Sequence, residues 1–169
     1  PRLRPMSASD LRRSAGPLPW HGEPPSPSQA PHLYGGTVLR RSLGYLVDVV
    51  IIAVLGLCLG FALSIVGLLS FGLLSPLAII VMALWPLLYH SFFIARSGAT
   101  PGMQLFGVEL RDWSGRPVEP AQAVLVVLLF YVSVSLTAWL VLILVLFNDR
   151  GRALHDILAS TLVVRRQDR

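Results

Sequence analysis

The chain has 169 residues, of which 54% are hydrophobic and only 14% charged, against about 25% charged in ordinary globular domains. Between Asp48 and Arg96 run 47 residues without one Asp, Glu, Lys or Arg, and from Pro120 to Asn148 another 29. Roughly 20 apolar residues already cross a bilayer, so a soluble enzyme, a secreted disulfide domain and a nucleic-acid-binding domain are excluded. Net charge is +5 and all fourteen basic residues are Arg. Placed at the flanks of the apolar runs, they suit membrane orientation and contact with anionic lipid. Cys58 is the one cysteine, so no internal disulfide can form.

Residues 1–38 hold eight of the thirteen prolines and little apolar periodicity, and read as a disordered, Pro-rich cytoplasmic tail. No apolar stretch of signal-peptide type follows the early arginines. The first membrane helix is expected from just after Arg40-Arg41 to about Val66. Gly67 to Pro76 makes a turn, and a second helix runs from about Pro76 to Ala95. Residues 97–119 form a polar connection. Thr100-Pro101 reads there as a helix cap with Pro at the first helical position. Gly107 suits a helix end, and Val108–Arg111 alternates like a short strand.

The third apolar run is Ala121–Phe147. Its 27 residues are short for two full spans, which need about 40, so a single long tilted span is preferred. The alternative is a re-entrant pair, broken around Ser133, Ser135 and Thr137. The tail begins with Asn148 or Asp149 as a cap. An amphipathic helix follows, with Leu154, Ile157 and Leu158 on one stripe, lying on the membrane surface, and Arg152 is placed to pair with Asp156. Thr161–Arg165 reads as a strand. It can pair with Val108–Arg111 only if both ends of the third run share one side of the membrane. The arginines place the N-terminus and the central connection in the cytoplasm. The five arginines of the tail ask for the same side, which three spans would deny. The fold class is therefore an all-α membrane protein of about three transmembrane helices, with a short cytoplasmic strand pair and an amphipathic C-terminal helix.

Asp48 lies seven residues after Arg41, about 10 Å along a helix, which puts it within the hydrocarbon. Such a group costs roughly 2.5–3.5 kcal/mol on insertion scales, so it must face protein or water. Arg41 shares its helix face two turns away. His90 lies six residues before Arg96 and reaches the same depth on the antiparallel second helix. Either is a candidate partner, for an ion or ligand site or for a structural polar tie. Gly44, Gly56, Gly60 and Ser64 fall on the Asp48 face at intervals of four or eight, a small-residue stripe that lets another helix or a second copy approach closely. His155-Asp156 are neighbours whose side chains diverge on a helix, which is no catalytic dyad. No metal-ligand spacing, phosphate loop or serine-nucleophile motif is present, so no metal, no cofactor and no enzymatic activity are expected.

Arg41-Ser-Leu-Gly-Tyr-Leu-Val-Asp48, Ser97-Gly-Ala-Thr-Pro-Gly102 with Gly107, and Leu154-His-Asp156 with Ala159–Val164 resemble the motifs of the RDD family of membrane proteins. The resemblance covers about residues 37–165, within a domain of 39–165 followed by a short tail, 166–169. It implies Arg41, Asp48 and Asp156 as the family's Arg and two Asp. Met103 and the Ala121–Val127 segment depart from the family, which usually has basic residues there. The resemblance implies transport of ions or small ligands; joined with the depth of His90, the expected site in the inner or plasma membrane is Arg41, Asp48, His90 and Asp156. The alternative is an accessory or scaffolding subunit. The expected partners are the lipid bilayer, further copies or other membrane proteins, and an ion or small ligand, with no nucleic acid.

Overall fold

The computed structural model of the chain describes residue 20, residues 22–137 and residues 150–166. A single helical turn, α1 (Pro31–Tyr34), precedes two long helices, α2 (Thr37–Leu69) and α3 (Ser75–Ser97). A short helix α4 (Pro101–Leu105) leads into strand β1 (Val108–Asp112). Helix α5 (Pro120–Thr137) follows, and then the short helix α6 (Leu154–Leu158) and strand β2 (Thr161–Arg165).

The 33 residues of α2 and 23 of α3 give lengths of about 50 and 35 Å, each sufficient for a bilayer core of about 30 Å. Both are long and apolar enough to cross a membrane. Only 6% of the most apolar stretch of the first is buried within the chain. Phe61, Leu68, Leu69, Phe71 and Leu73 all stand open, a surface that water would not tolerate and lipid would. The turn between the helices closes with Phe71 and Gly72 at positive φ and with Gly72 N–H donating to Gly67 O.

The packed core lies at the opposite end, where Arg40, Arg41 and Arg96 sit. Ile94, Met103, Val108, Leu110, Val126, Val127 and Val163 close around one another there. β1 and β2 pair antiparallel, Val108 with Arg165 through to Asp112 with Thr161. Gly98 ends α3 at φ 70°, and its carbonyl accepts from Leu110 N–H at 2.7 Å, stitching the helix end to the sheet.

The strand pairing and the Gln122 Nε2 bond to Ala159 O at 2.8 Å bring the start of the third run and the segment after residue 150 to one end of the molecule, the condition on which the two strands were expected to pair. Residues 138–149, which include most of the second half of the run and the expected caps Asn148 and Asp149, lie outside the described residues. Two expectations change. The disordered reading of 1–38 fails from about residue 22 onward. Leu33 and Tyr34 of α1 bury against Leu162 and Val164, with Trp20 and Trp113 alongside, and Trp20 Nε1 donates to Trp113 O at 2.7 Å. A few large side chains supply the burial that proline-rich composition concealed. Finally, α6 points its polar residues inward, with His155 and Asp156 buried and Ile157 and Leu158 exposed.

Candidate functional site: two buried carboxyl groups beside a half-open chamber

Asp48 is 1% exposed. It stands on α2 where the chain crowds most closely: Gly44, one turn earlier, touches the backbone of Gly102 and Met103. A Cβ on Gly102 would fall into the Gly44 carbonyl and lie 2.8 Å from Asp48 Oδ2. This approach sets the N-terminus of α4 on the carboxyl group. Gly102 N–H donates to Asp48 Oδ1 at 2.9 Å, Tyr89 O–H donates to the same oxygen at 3.0 Å, and Thr100 Oγ1 donates to Oδ2. Thr100 in turn accepts from Met103 N–H at 3.2 Å, the cap expected from Thr100-Pro101. Asp48 therefore fastens the 97–107 connection to α2 and α3.

Neither partner expected for Asp48 bonds to it. Arg41 turns away, its Nη1 donating to Asp156 Oδ2 at 2.5 Å and its Nη2 to Asp156 Oδ1 at 3.1 Å. The fork is bidentate, the strong geometry for guanidinium and carboxylate. Asp156 is fully buried, and Oδ2 also accepts from Ala153 N–H at 3.0 Å, at the start of α6. Burial alone would raise the Asp156 pKa, but the Arg41 charge and these bonds hold it below the usual carboxylate range. The expected Arg152–Asp156 pair also fails, because Arg41 has taken the carboxylate. Arg152 donates instead to the Asp156 backbone carbonyl at 2.9 Å and to Thr161 O at 2.8 Å, with its guanidinium 4.4 Å from the Trp113 ring centroid.

His90 does reach the depth of Asp48, but its bonds go elsewhere. Nδ1 lies 2.9 Å from Pro86 O and 3.1 Å from Tyr131 Oη. Tyr89, next in sequence, is the residue that reaches Asp48. The small-residue stripe is divided between neighbours within the chain. Gly44 packs on α4, a Cβ on Gly56 would lie 3.4 Å from the Trp85 ring, and one on Gly60 would lie 3.6 Å from Met82 Cε. Ser64 bonds back to Gly60 O at 2.7 Å. The Gly56/Gly60 face is thus the α2–α3 contact.

The largest surprise is His155. It is 1% exposed, and its Nε2 lies 2.8 Å from Arg41 Nη2. Arg can only donate, so Nε2 accepts. Burial and the Arg41 charge lower the His155 pKa to about 4, which keeps the ring neutral at pH 7. The helix rule that set His155 and Asp156 apart still holds; Arg41 bridges them from outside. Arg41, Tyr45, Asp48, His90 and His155 then line one half-open cavity of about 70 Å³, together with Val126, Val127 and Phe130 among others. Thr100, Tyr89, Tyr131 and His155 escaped the sequence reading. The Thr-Pro cap marked Thr100, but only the fold shows what it caps. Among the described residues, no three His, Cys, Asp or Glu converge as for a metal ion.

Arg41 and Asp48 on α2 thus meet Thr100-Pro101-Gly102 and Asp156 across three separate segments, all within residues 36–160, which the RDD family model matches. The chain belongs to the RDD family. No curated protein and no solved structure matches it. Family membership and two helices long and apolar enough to span make this RDD protein a membrane protein in contact with lipid. Arg41 and Asp156, 115 residues apart in sequence, form one ion pair in it.

Proposed function

We propose that this RDD protein is a multi-pass protein of the inner or plasma membrane that binds and passes an ion or small ligand through the chamber of Arg41, Asp48, His90 and His155, without enzymatic activity. The observation that carries this reading is the half-open cavity of about 70 Å³ itself, where Arg41, Asp48, His90 and His155 stand among mainly apolar walls. Binding sites commonly combine such walls. In this reading the N-terminus and the paired strands face the cytoplasm, since the arginines cluster at that end. The described helices make a thin wall, so passage requires several copies. The test is reconstitution of the full chain in liposomes, with cation and proton gradients and osmotic shifts applied in turn. Protein-dependent dissipation, reduced at least tenfold by Val126→Phe, is expected. Rates equal to those of empty liposomes under every gradient refute passage.

A second reading has its own support. The Asp48 and Asp156 oxygens all accept bonds from this chain, as structural ties would. The protein is then an accessory subunit. Because Gly56 and Gly60 already meet Trp85 and Met82, a partner would have to take the exposed apolar face of α2. Co-purification of one stoichiometric membrane partner, with no flux, would favour it.

A further inference from the structure

Among the described residues, two buried polar atoms on the chamber lining have no hydrogen-bond partner: His90 Nε2 and His155 Nδ1. Both rings are more than nine-tenths buried and both line the cavity. Their protonation follows from their contacts. The Pro86 carbonyl can only accept, so the 2.9 Å contact puts the proton of His90 on Nδ1 and leaves Nε2 a bare lone pair. His155 Nε2 accepts from Arg41, so a neutral ring carries its proton on Nδ1. The chamber therefore holds one unmet acceptor and one unmet donor. Leaving either one unsatisfied in a buried site is unfavourable.

The charges around the chamber are already met. Arg41 is paired with Asp156, and Asp48 accepts three hydrogen bonds. A bare cation would meet one imidazole lone pair and the Asp48 oxygens, which three donors already engage, and a bare anion would meet one N–H beside that carboxylate. Either set replaces little of an ion's hydration shell. Tyr45 and Phe130 stand in sequence between the rings: His90 to Tyr45 6.0 Å, Tyr45 to Phe130 5.6 Å, Phe130 to His155 5.1 Å between centroids. A water needs about 10–15 Å³ of such space, so the cavity has room for several.

We propose that the chamber is a hydration site, in which a short file of water runs from His155 Nδ1–H to His90 Nε2, and that its ligand class is neutral and hydroxyl-bearing, water being the smallest member. This rests on the chamber of the preceding section and narrows its ligand class; it does not depend on flux.

The test uses the full chain with ¹⁵N-labelled histidine in lipid bilayers, and reads magnetisation transfer from water to the imidazole protons. Exposed His32 is the internal control. The expected result is Nδ1-protonated neutral rings at both His90 and His155, with water transfer to His155 Hδ1. Val126→Phe, which fills the cavity, should cut that transfer at least tenfold while His32 is unaffected. A His155 proton on Nε2 overturns the proposal. So does absence of transfer at His155 under mixing conditions where His32 transfers, which would leave the Phe130 ring as the partner of that N–H. Transfer without flux refutes only passage through the chamber. Flux without transfer refutes only its hydration.

Discussion

Replacing Asp48 by Asn isolates one contact of the carboxyl group. Asn keeps an oxygen at the Oδ1 position, where Tyr89 O–H and Gly102 N–H donate. It puts an NH₂ where Oδ2 accepts from Thr100. The Thr100 hydroxyl proton, which donated to Oδ2, then faces another donor and is left without an acceptor. A buried donor left unpaired costs about 1–3 kcal/mol. For a chain of this size, each kcal/mol shifts Tm by roughly 2–4 °C, so Asp48→Asn should lower Tm by roughly 2–12 °C. Asp48→Ala strands all three donors and should lower it further. The assay is thermal unfolding in lipid nanodiscs followed by tryptophan fluorescence. The decisive comparison is the cycle with Thr100→Val. Once the hydroxyl is gone, Asp48→Asn should cost little, giving a coupling of about 1 kcal/mol or more. Additivity within about 0.5 kcal/mol, the behaviour of independent sites, would refute the tie between α2 and the 97–107 connection.

Two further outcomes follow from the same geometry. Gly102→Ala puts a methyl into the Gly44 backbone and 2.8 Å from Asp48 Oδ2; overpacking of this kind costs about 1–3 kcal/mol, so Tm should fall and the α2–α4 contact should loosen, whereas Gly72→Ala, strained by its φ of 85° but in open space, should leave the α2–α4 contact intact by crosslinking of flanking cysteines. Stability should also fall on acidification. The folded His155 pKa is lowered to about 4 from an unfolded value near 6.5, so below pH ~6.5 the unfolded chain binds a proton that the native chain, with Arg41 against the ring, resists. The loss should develop between pH ~6.5 and about 4, amount to about 3 kcal/mol, and disappear over that window in His155→Gln. The fall below pH 4, as Asp156 is protonated against its Arg41 pair, should persist. A wild-type profile flat from pH 7 to 4 would show that Arg41 does not face a neutral ring.

Sequence by itself determined what depends on composition and local pattern. Long uncharged runs fix α2 and α3, because backbone polar groups within lipid must bond inside a helix. Thr100-Pro101 fixes the start of α4, and alternation fixes β1 and β2. The depth of Asp48 fixes that it must be sheltered. Which groups shelter it was decided by tertiary structure alone. The Gly44–Gly102 contact, 58 residues apart in sequence, delivers an N–H and a hydroxyl to Asp48, and this leaves Arg41 free to cross to Asp156. No spacing rule reveals that exchange, because hydrogen-bond partners are chosen by which backbones can approach within van der Waals contact. His155 shows the same limit: on its own helix it has no chemistry, and it gains a chemical setting only where Arg41, Phe130 and the chamber surround it.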